Sequence, residues 1–182
     1  MALLLFIIVP LAAWIIVKPI RVIAPQLVGV SCFGEMVCVD DASQIQTAEI
    51  LYSDALTFVS SSISSVDAAP RIIFCATETC AQSFGLGARS AVTIGAFGTV
   101  IGPRAWRPYY VRHEMIHYLQ GERLGVLRLL FKPSWFVEGM AYSLSQDPRA
   151  RLAEPFEGYR REFLSWYASI DKQRLWVEAR KL

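Results

Sequence analysis

The sequence of 182 residues has only two histidines and almost no excess of charge, and each shortage limits what the protein can be. Its 18 basic and 16 acidic residues give a net charge of +2, too little for the basic surface that nucleic-acid-binding proteins present. We therefore expect no nucleic-acid partner. The chain has no fixed-period repeat, which excludes a solenoid. Since 54% of its residues are apolar, a disordered chain is excluded as well.

Charge is missing altogether from residues 2–17, ALLLFIIVPLAAWIIV. A membrane-spanning helix needs about 20 apolar residues, and this run comes close because Lys18 and Arg21 can extend their charged ends toward the headgroups. We predict that residues 1–25 form an uncleaved membrane anchor. A cleaved secretory signal and a buried core helix are the alternatives, although a signal would carry a basic segment ahead of the apolar run.

The four cysteines fall as two close pairs, Cys32 with Cys38 and Cys75 with Cys80. In a chain with an export-like N-terminus, close pairing indicates disulfides and an oxidising compartment, while three connectivities remain open. Four buried thiols and a metal site are the alternatives, but the C-x2-C spacing of zinc ribbons is absent. The two basic residues after the apolar run favour a cytoplasmic domain instead. We give the cysteines more weight and predict a membrane-anchored, extracytoplasmic domain.

Residues 26–182 are enough for one compact domain with its own hydrophobic core. Apolar spacing and turn residues predict an α+β fold with one long helix first, then a small mixed sheet, then further helices. The predicted helices cover residues 42–63, following a cap at Asp40 or Asp41, and 108–124, 133–145 and 154–182. The predicted strands cover residues 71–76, 91–94 and 99–101.

Both histidines of the chain lie in one motif, His113-Glu114-Met115-Ile116-His117. On a helix, a spacing of four places both imidazoles on the same face, one turn apart, where they can share a single Zn²⁺. Glu114 projects beside such a metal, where its carboxylate can take a proton from water. The pattern H-E-x-x-H is short and arises by chance, but here it holds the whole histidine content of the protein.

A third ligand is available at Glu138, 21 positions after His117, in the segment Trp135-Phe136-Val137-Glu138-Gly139-Met140-Ala141. The neighbours of Glu138 are apolar, so a carboxylate turned toward the core would be costly unless it were paired or bound to a metal. We expect the loop containing Gly121 and Gly125 to fold the second helix back across the first. Two histidines and one glutamate leave a coordination position open, which is typical of catalytic zinc.

H-E-x-x-H followed by W-F-x-E-G-x-A resembles the gluzincin metallopeptidases, over about residues 91–145. The resemblance implies a small zincin-like domain in which His113, His117 and Glu138 bind zinc and Glu114 is the general base. It also implies that an edge strand within Ala91 to Ile101 binds extended peptide. The related thermolysin pattern has an Asp four residues after the ligand glutamate to orient a histidine, whereas this chain has Tyr142.

Stabilising an oxyanion requires a hydrogen-bond donor besides the metal, and no histidine is left to supply it. The five candidate tyrosines are Tyr109, Tyr110, Tyr142, Tyr159 and Tyr167.

The sequence thus predicts a membrane-anchored zinc metallopeptidase that hydrolyses peptide or protein substrates. A non-catalytic binding or assembly module that keeps zinc for structure is the alternative, but such a module would not need Glu114. A protease that cuts within the bilayer would place the motif in a membrane helix, and charged residues such as Arg112 and Glu122 flank it here.

Overall fold

Five short strands form one mixed sheet in the computed structural model, which describes residues 21–182. The strands are β1 (Ser31–Phe33), β2 (Val37–Val39), β3 (Ile72–Phe74), β4 (Ala91–Ile94) and β5 (Gly98–Ile101). Their order across the sheet is β1-β2-β3-β5-β4. The three central strands are parallel, and β1 and β4 pair antiparallel at the two edges. The predicted α+β class with a small mixed sheet is confirmed.

Seven α-helices accompany the sheet within the described residues. They are α1 (Ile45–Ser62), α2 (Glu78–Ser83), α3 (Pro108–Leu124), α4 (Val126–Leu129), α5 (Ser134–Leu144), α6 (Phe156–Ser169) and α7 (Leu175–Lys181). The predicted C-terminal helix is in fact two helices, because the backbone is extended at Ile170. Sequence reasoning missed β1, β2, α2 and α4, which have three to six residues each and are too short to show a hydrophobic period.

The three central strands are buried on both faces of the sheet, as β3 illustrates. Ile72 and Phe74 belong to a core that also contains the buried faces of α1, α3 and α5, whereas Ile73 faces a smaller cluster with Val100 and Phe84. Successive strand residues point to opposite faces, so a central strand covered on both sides is apolar throughout. The core on the helical side is the one against which the H-E-x-x-H helix packs.

Polar contacts fix α1 against α3 at the edge of this core. The Arg112 guanidinium donates to both carboxylate oxygens of Asp54, at 2.8 and 2.9 Å, and to Gln146 Oε1 at 2.7 Å. The same group lies 4.1 Å from the centre of the Phe58 ring. A bidentate pair of this kind holds both partners in one geometry, so the motif helix is fixed in its rotation relative to α1.

The cysteines form two disulfides, Cys32–Cys38 and Cys75–Cys80. The first joins β1 to β2 at residues that are direct partners in the ladder, and the second joins the end of β3 to α2. The predicted close pairing is confirmed, and the alternatives of a cysteine metal site and of four free thiols are wrong.

The predicted membrane anchor, residues 1–25, lies mostly outside the described residues. Of its described part, Val22 is fully buried in the smaller apolar cluster. Within residues 21–182, no helix combines the length and the apolar character needed to cross a membrane.

Gly139 lets α5 and α6 touch, and this contact fixes the helix that carries Glu138. A Cβ atom at Gly139 would overlap the carbonyl oxygen of Tyr159 and would lie 2.7 Å from Phe163 Cβ. Real Cβ atoms do not come so near to backbone. The glycine of the W-F-x-E-G-x-A segment is therefore required by helix packing.

We predict that Gly139→Ala lowers the free energy of unfolding by about 1–3 kcal/mol, the usual effect of overpacking a core. Gly121→Ala is the matched control, because a Cβ there would meet Val126 Cγ2 at an ordinary 3.6 Å. Alanine is favoured over glycine within a helix by about 1 kcal/mol, so the control should be neutral or more stable. Chemical denaturation of both variants is the measurement. Equal stability of the two would contradict the close contact between α5 and α6.

Candidate metal centre

Helix α3 carries both histidines on the same face. His113 and His117 point to the same side, and their Nε2 atoms are 3.1 Å apart. His113 is only 9% exposed, so its imidazole is largely out of water. The two histidines therefore have the relative geometry that the spacing of the motif predicts.

Helix α5 brings Glu138 to the same point, where its Oε2 lies 3.7 Å from the Nε2 of each histidine. A tetrahedral zinc with Zn–N bonds of about 2.0–2.1 Å holds two nitrogen ligands about 3.3 Å apart. The three side chains thus form a triangle of the size that one metal ion needs, and together they could hold one. The Glu138 side chain is one-third exposed, so it faces a cleft and not the core that its apolar neighbours suggested.

The turn between α3 and α5 differs from the predicted loop. Gly125 ends α3 with a positive φ of 88°, a conformation that favours glycine. Gly121, which we placed in that loop, lies within α3. The short helix α4 then leads into α5, which packs across α3.

Gln120, which the sequence analysis missed, orients His117. Its Oε1 lies 3.0 Å from His117 Nδ1, and its Nε2 donates to the carbonyl oxygen of Val137 at 3.0 Å. The side chain is completely buried. A partner on Nδ1 fixes the imidazole so that Nε2 is free to bind a metal. Its position three residues after His117, on the same helix face, is the signal that could have identified it.

His113 is held by packing and not by a carboxylate. The ring of Tyr142 contacts it edge to face, with 4.4 Å between ring centres. Tyr142 lies four residues after Glu138. Its contact with His113 is aromatic, whereas the polar partner, Gln120, contacts the other histidine.

The two histidines have opposite pKa shifts. Burial lowers the pKa of His113 well below its usual value, and the nearby His117 lowers it further. Burial acts in the same direction on His117, but the facing carboxylate of Glu138 and the charge of Glu114 outweigh burial and raise its pKa to about 9. The same carboxylates would stabilise a cation between the imidazoles.

Glu114 lies beside the triangle without belonging to it. The carboxylate is buried, which raises its pKa, while His117 and a hydrogen bond from Thr93 act in the opposite direction. Thr93 Oγ1 donates to Glu114 Oε2 at 2.8 Å and lies 3.0 Å from Thr99 Oγ1. Sequence reasoning missed Thr93, whose role depends on how the sheet and α3 meet.

The site opens into a cleft of about 640 Å³ between the edge strand and helices α3 and α5. β4 forms one wall, so of the predicted range Ala91 to Ile101 only Ala91–Ile94 lies at the sheet edge; β5 lies inside the sheet. Of the five candidate tyrosines, only Tyr110 and Tyr142 line the cleft. Arg149, which the sequence analysis missed, adds a cation to the lining and is ion-paired with Asp147.

In comparisons with known proteins, the chain matches no family model, no curated protein and no solved structure.

We predict that the wild-type chain binds one zinc ion and that His117→Ala and Glu138→Gln each lose most of it. Each variant removes one of three ligands. Glu162→Gln is the control for loss of a carboxylate, because Glu162 is exposed on α6. Metal analysis of the purified proteins is the measurement. Equal zinc in the wild type and His117→Ala would contradict the assigned site.

We predict that Gln120→Met weakens zinc affinity by about 10–100-fold, the usual effect of removing a hydrogen-bond partner of a metal-binding histidine. Methionine fills a similar volume but cannot accept from Nδ1. Gln120→Glu keeps an acceptor for Nδ1 and should lose less affinity. Competition with a zinc chelator measures all three proteins. Equal affinity of the wild type and Gln120→Met would show that His117 does not depend on this contact.

Proposed function

We propose that this chain is a zinc-dependent metallopeptidase of the gluzincin type, acting on peptide or protein substrates. The observation that carries the proposal is the position of Glu114: a carboxylate buried beside a two-histidine, one-glutamate ligand set without being part of it. Two imidazoles and a carboxylate are ligands that zinc accepts, and three protein ligands are typical of catalytic sites, whereas structural zinc has four. A module that kept zinc for structure would gain nothing from burying a fourth ionisable group.

Zinc, when bound, supplies a Lewis acid that lowers the pKa of water and polarises a carbonyl group. His113, His117 and Glu138 would hold it. Gln120 keeps the His117 imidazole in the tautomer that leaves Nε2 available, and Tyr142 limits the rotation of His113.

Glu114 moves the proton. Its carboxylate takes a proton from the attacking water and passes it to the nitrogen of the leaving amine, as a general base and then a general acid. Thr93 holds Oε2 through its hydroxyl, so that Oε1 is left to accept the proton. Burial raises the pKa of Glu114, which makes the carboxylate a stronger base and brings its pKa nearer to working pH.

Two tyrosines are placed to assist the developing oxyanion. Tyr110 and Tyr142 both line the cleft, and burial together with the charge of Glu138 raises the pKa of Tyr142 to about 12. Its hydroxyl therefore keeps its proton at neutral pH and can donate a hydrogen bond where negative charge develops.

The free edge of β4 supplies the binding surface for an extended substrate. Among the described residues, β4 pairs only with β5, so its outer backbone groups face the cleft without a strand partner. A peptide that adds to this edge gains main-chain hydrogen bonds that do not depend on its sequence. Thr93 lies on this strand and contacts Glu114, so a peptide bound there lies next to the proposed base.

We also propose that the domain works in an oxidising compartment, attached to a membrane through residues 1–25. The two disulfides support the compartment, and the uncharged run at residues 2–17 supports the attachment.

We predict that Glu114→Gln keeps zinc and its fold but lowers the rate of peptide hydrolysis by about 10²–10⁴-fold, the usual contribution of a general base. An amide has nearly the same shape as the carboxylate but cannot accept the proton. Cleavage of a peptide library is compared for the wild type, Glu114→Gln and the control Glu162→Gln at equal zinc occupancy.

The results of this assay distinguish a peptidase from a non-catalytic zinc module. Wild-type rates in Glu114→Gln would contradict the role of the carboxylate. Zinc-loaded wild type that cleaves none of the library would favour the non-catalytic binding or assembly module instead.

A further inference from the structure

Large apolar side chains are exposed along one border of the cleft. Leu127 and Leu130 are each 75% exposed and Phe131 is 86% exposed, on the segment that contains α4 and the residues directly after it. Phe97, in the β4–β5 turn, is 49% exposed and Ile23 is 52% exposed. We call these five residues the apolar rim. Clustered exposure of this kind marks a surface that meets lipid or another protein.

The β4–β5 turn joins the parts of the rim into one surface. A Cβ atom at Gly95 would lie 3.2 Å from Val126 Cγ1, and one at Gly98 would lie 3.1 Å from Val22 Cγ1. The two glycines are three residues apart in a tight turn, with Phe97 between them. The α4 segment and the start of the described chain therefore lie on either side of Phe97.

The charged residues within the segments that carry the rim are all basic. These segments, residues 21–34, 79–113 and 123–137, contain no acidic residue, and the acidic residues directly beyond their ends are Glu35, Glu78, Glu114, Glu122 and Glu138. Arg128 is exposed within the α4 segment itself, whereas Lys132 is half-buried and its Nζ donates to the carbonyl oxygen of Arg180. Apolar side chains with basic residues between them are typical of surfaces that lie on a bilayer with anionic headgroups.

A second copy of the chain fits this surface less well. A symmetric dimer through the rim would bring together two copies of the same surface, whose charged residues are basic, and like charges repel. The rim also lies next to Arg21, through which the uncharged run at residues 2–17 is joined to the domain. A bilayer that receives this run is therefore close to the rim.

We propose that the apolar rim docks on the lipid bilayer, with Leu127, Leu130 and Phe131 among the acyl chains and Arg128 at the phosphates. Val126, Leu129 and Leu130 also line the cleft, so docking places the cleft mouth at the membrane surface. Given the proposed peptidase function, the preferred substrates are then peptide segments next to the bilayer.

The test is photo-cross-linking of the full chain in phosphatidylcholine vesicles, with and without phosphatidylserine. The photoreactive residue p-benzoylphenylalanine replaces Phe131 in one sample. In the control it replaces Leu164, an apolar side chain of α6 that is 47% exposed and is not part of the rim. Mass spectrometry detects the adducts, and zinc content reports folding. The readout needs no catalysis, so it is independent of the proposed peptidase activity.

Docking predicts lipid adducts at position 131, more of them with phosphatidylserine, and none at position 164. Adding Leu127→Asp and Leu130→Asp should abolish the lipid adduct at position 131 while zinc content is unchanged. Equal lipid adducts at positions 131 and 164, or none at either, would overturn the proposal. Adducts at position 131 that join two protein chains would show that a second copy covers the rim.

Discussion

Polar side chains buried on helix α3 are the constraint on which the rest of the structure depends. A buried polar group without a hydrogen-bond partner costs about 1–3 kcal/mol, and α3 carries several such groups on a helix that also supplies much of the core. Three of them find a partner on a different element: Glu114 on β4, Gln120 on α5, and Arg112 on α1. The sheet, the first helix and the fifth are therefore tied to α3 by the same side chains that form the site.

These ties leave the candidate metal centre little freedom to move. Gln120 links His117 to the backbone of α5, and Gly139 lets α6 press against α5 from the other side. A site whose ligands are already held by neighbouring groups loses less freedom when it binds a metal. The pKa values of the two histidines shift in opposite directions because burial dominates at His113, whereas the nearby carboxylates of Glu138 and Glu114 outweigh burial at His117.

The position of β4 at the sheet edge determines where the cleft and the apolar rim lie. β4 closes the sheet with one edge unpaired, and the turn that follows it contacts both the α4 segment and the start of the described chain. The wall that would bind a peptide thus continues directly into the surface that we propose meets lipid. A bilayer-docked peptidase would meet substrates that lie along the membrane more often than substrates free in solution.

The sequence by itself determined the periodic and covalent features. These features depend on residues that are near one another in the chain, so a sequence pattern can predict their geometry. They are the spacing of the two histidines, the uncharged N-terminal run, the close cysteine pairs and the helix over 108–124. The sequence also pointed to Glu138, 21 positions after His117, although the expectation that its carboxylate turns toward the core was wrong.

Only the tertiary structure decided which distant groups meet. Thr93 contacts Glu114 because β4 lies at the sheet edge beside α3. Of the five candidate tyrosines, Tyr110 and Tyr142 line the cleft because of how the helices pack, which the sequence pattern does not show. The strands β1 and β2 have three residues each and are stable only through pairing with neighbours, which no local pattern records. Contacts between distant residues depend on how the elements pack, and packing is decided by the whole core at once.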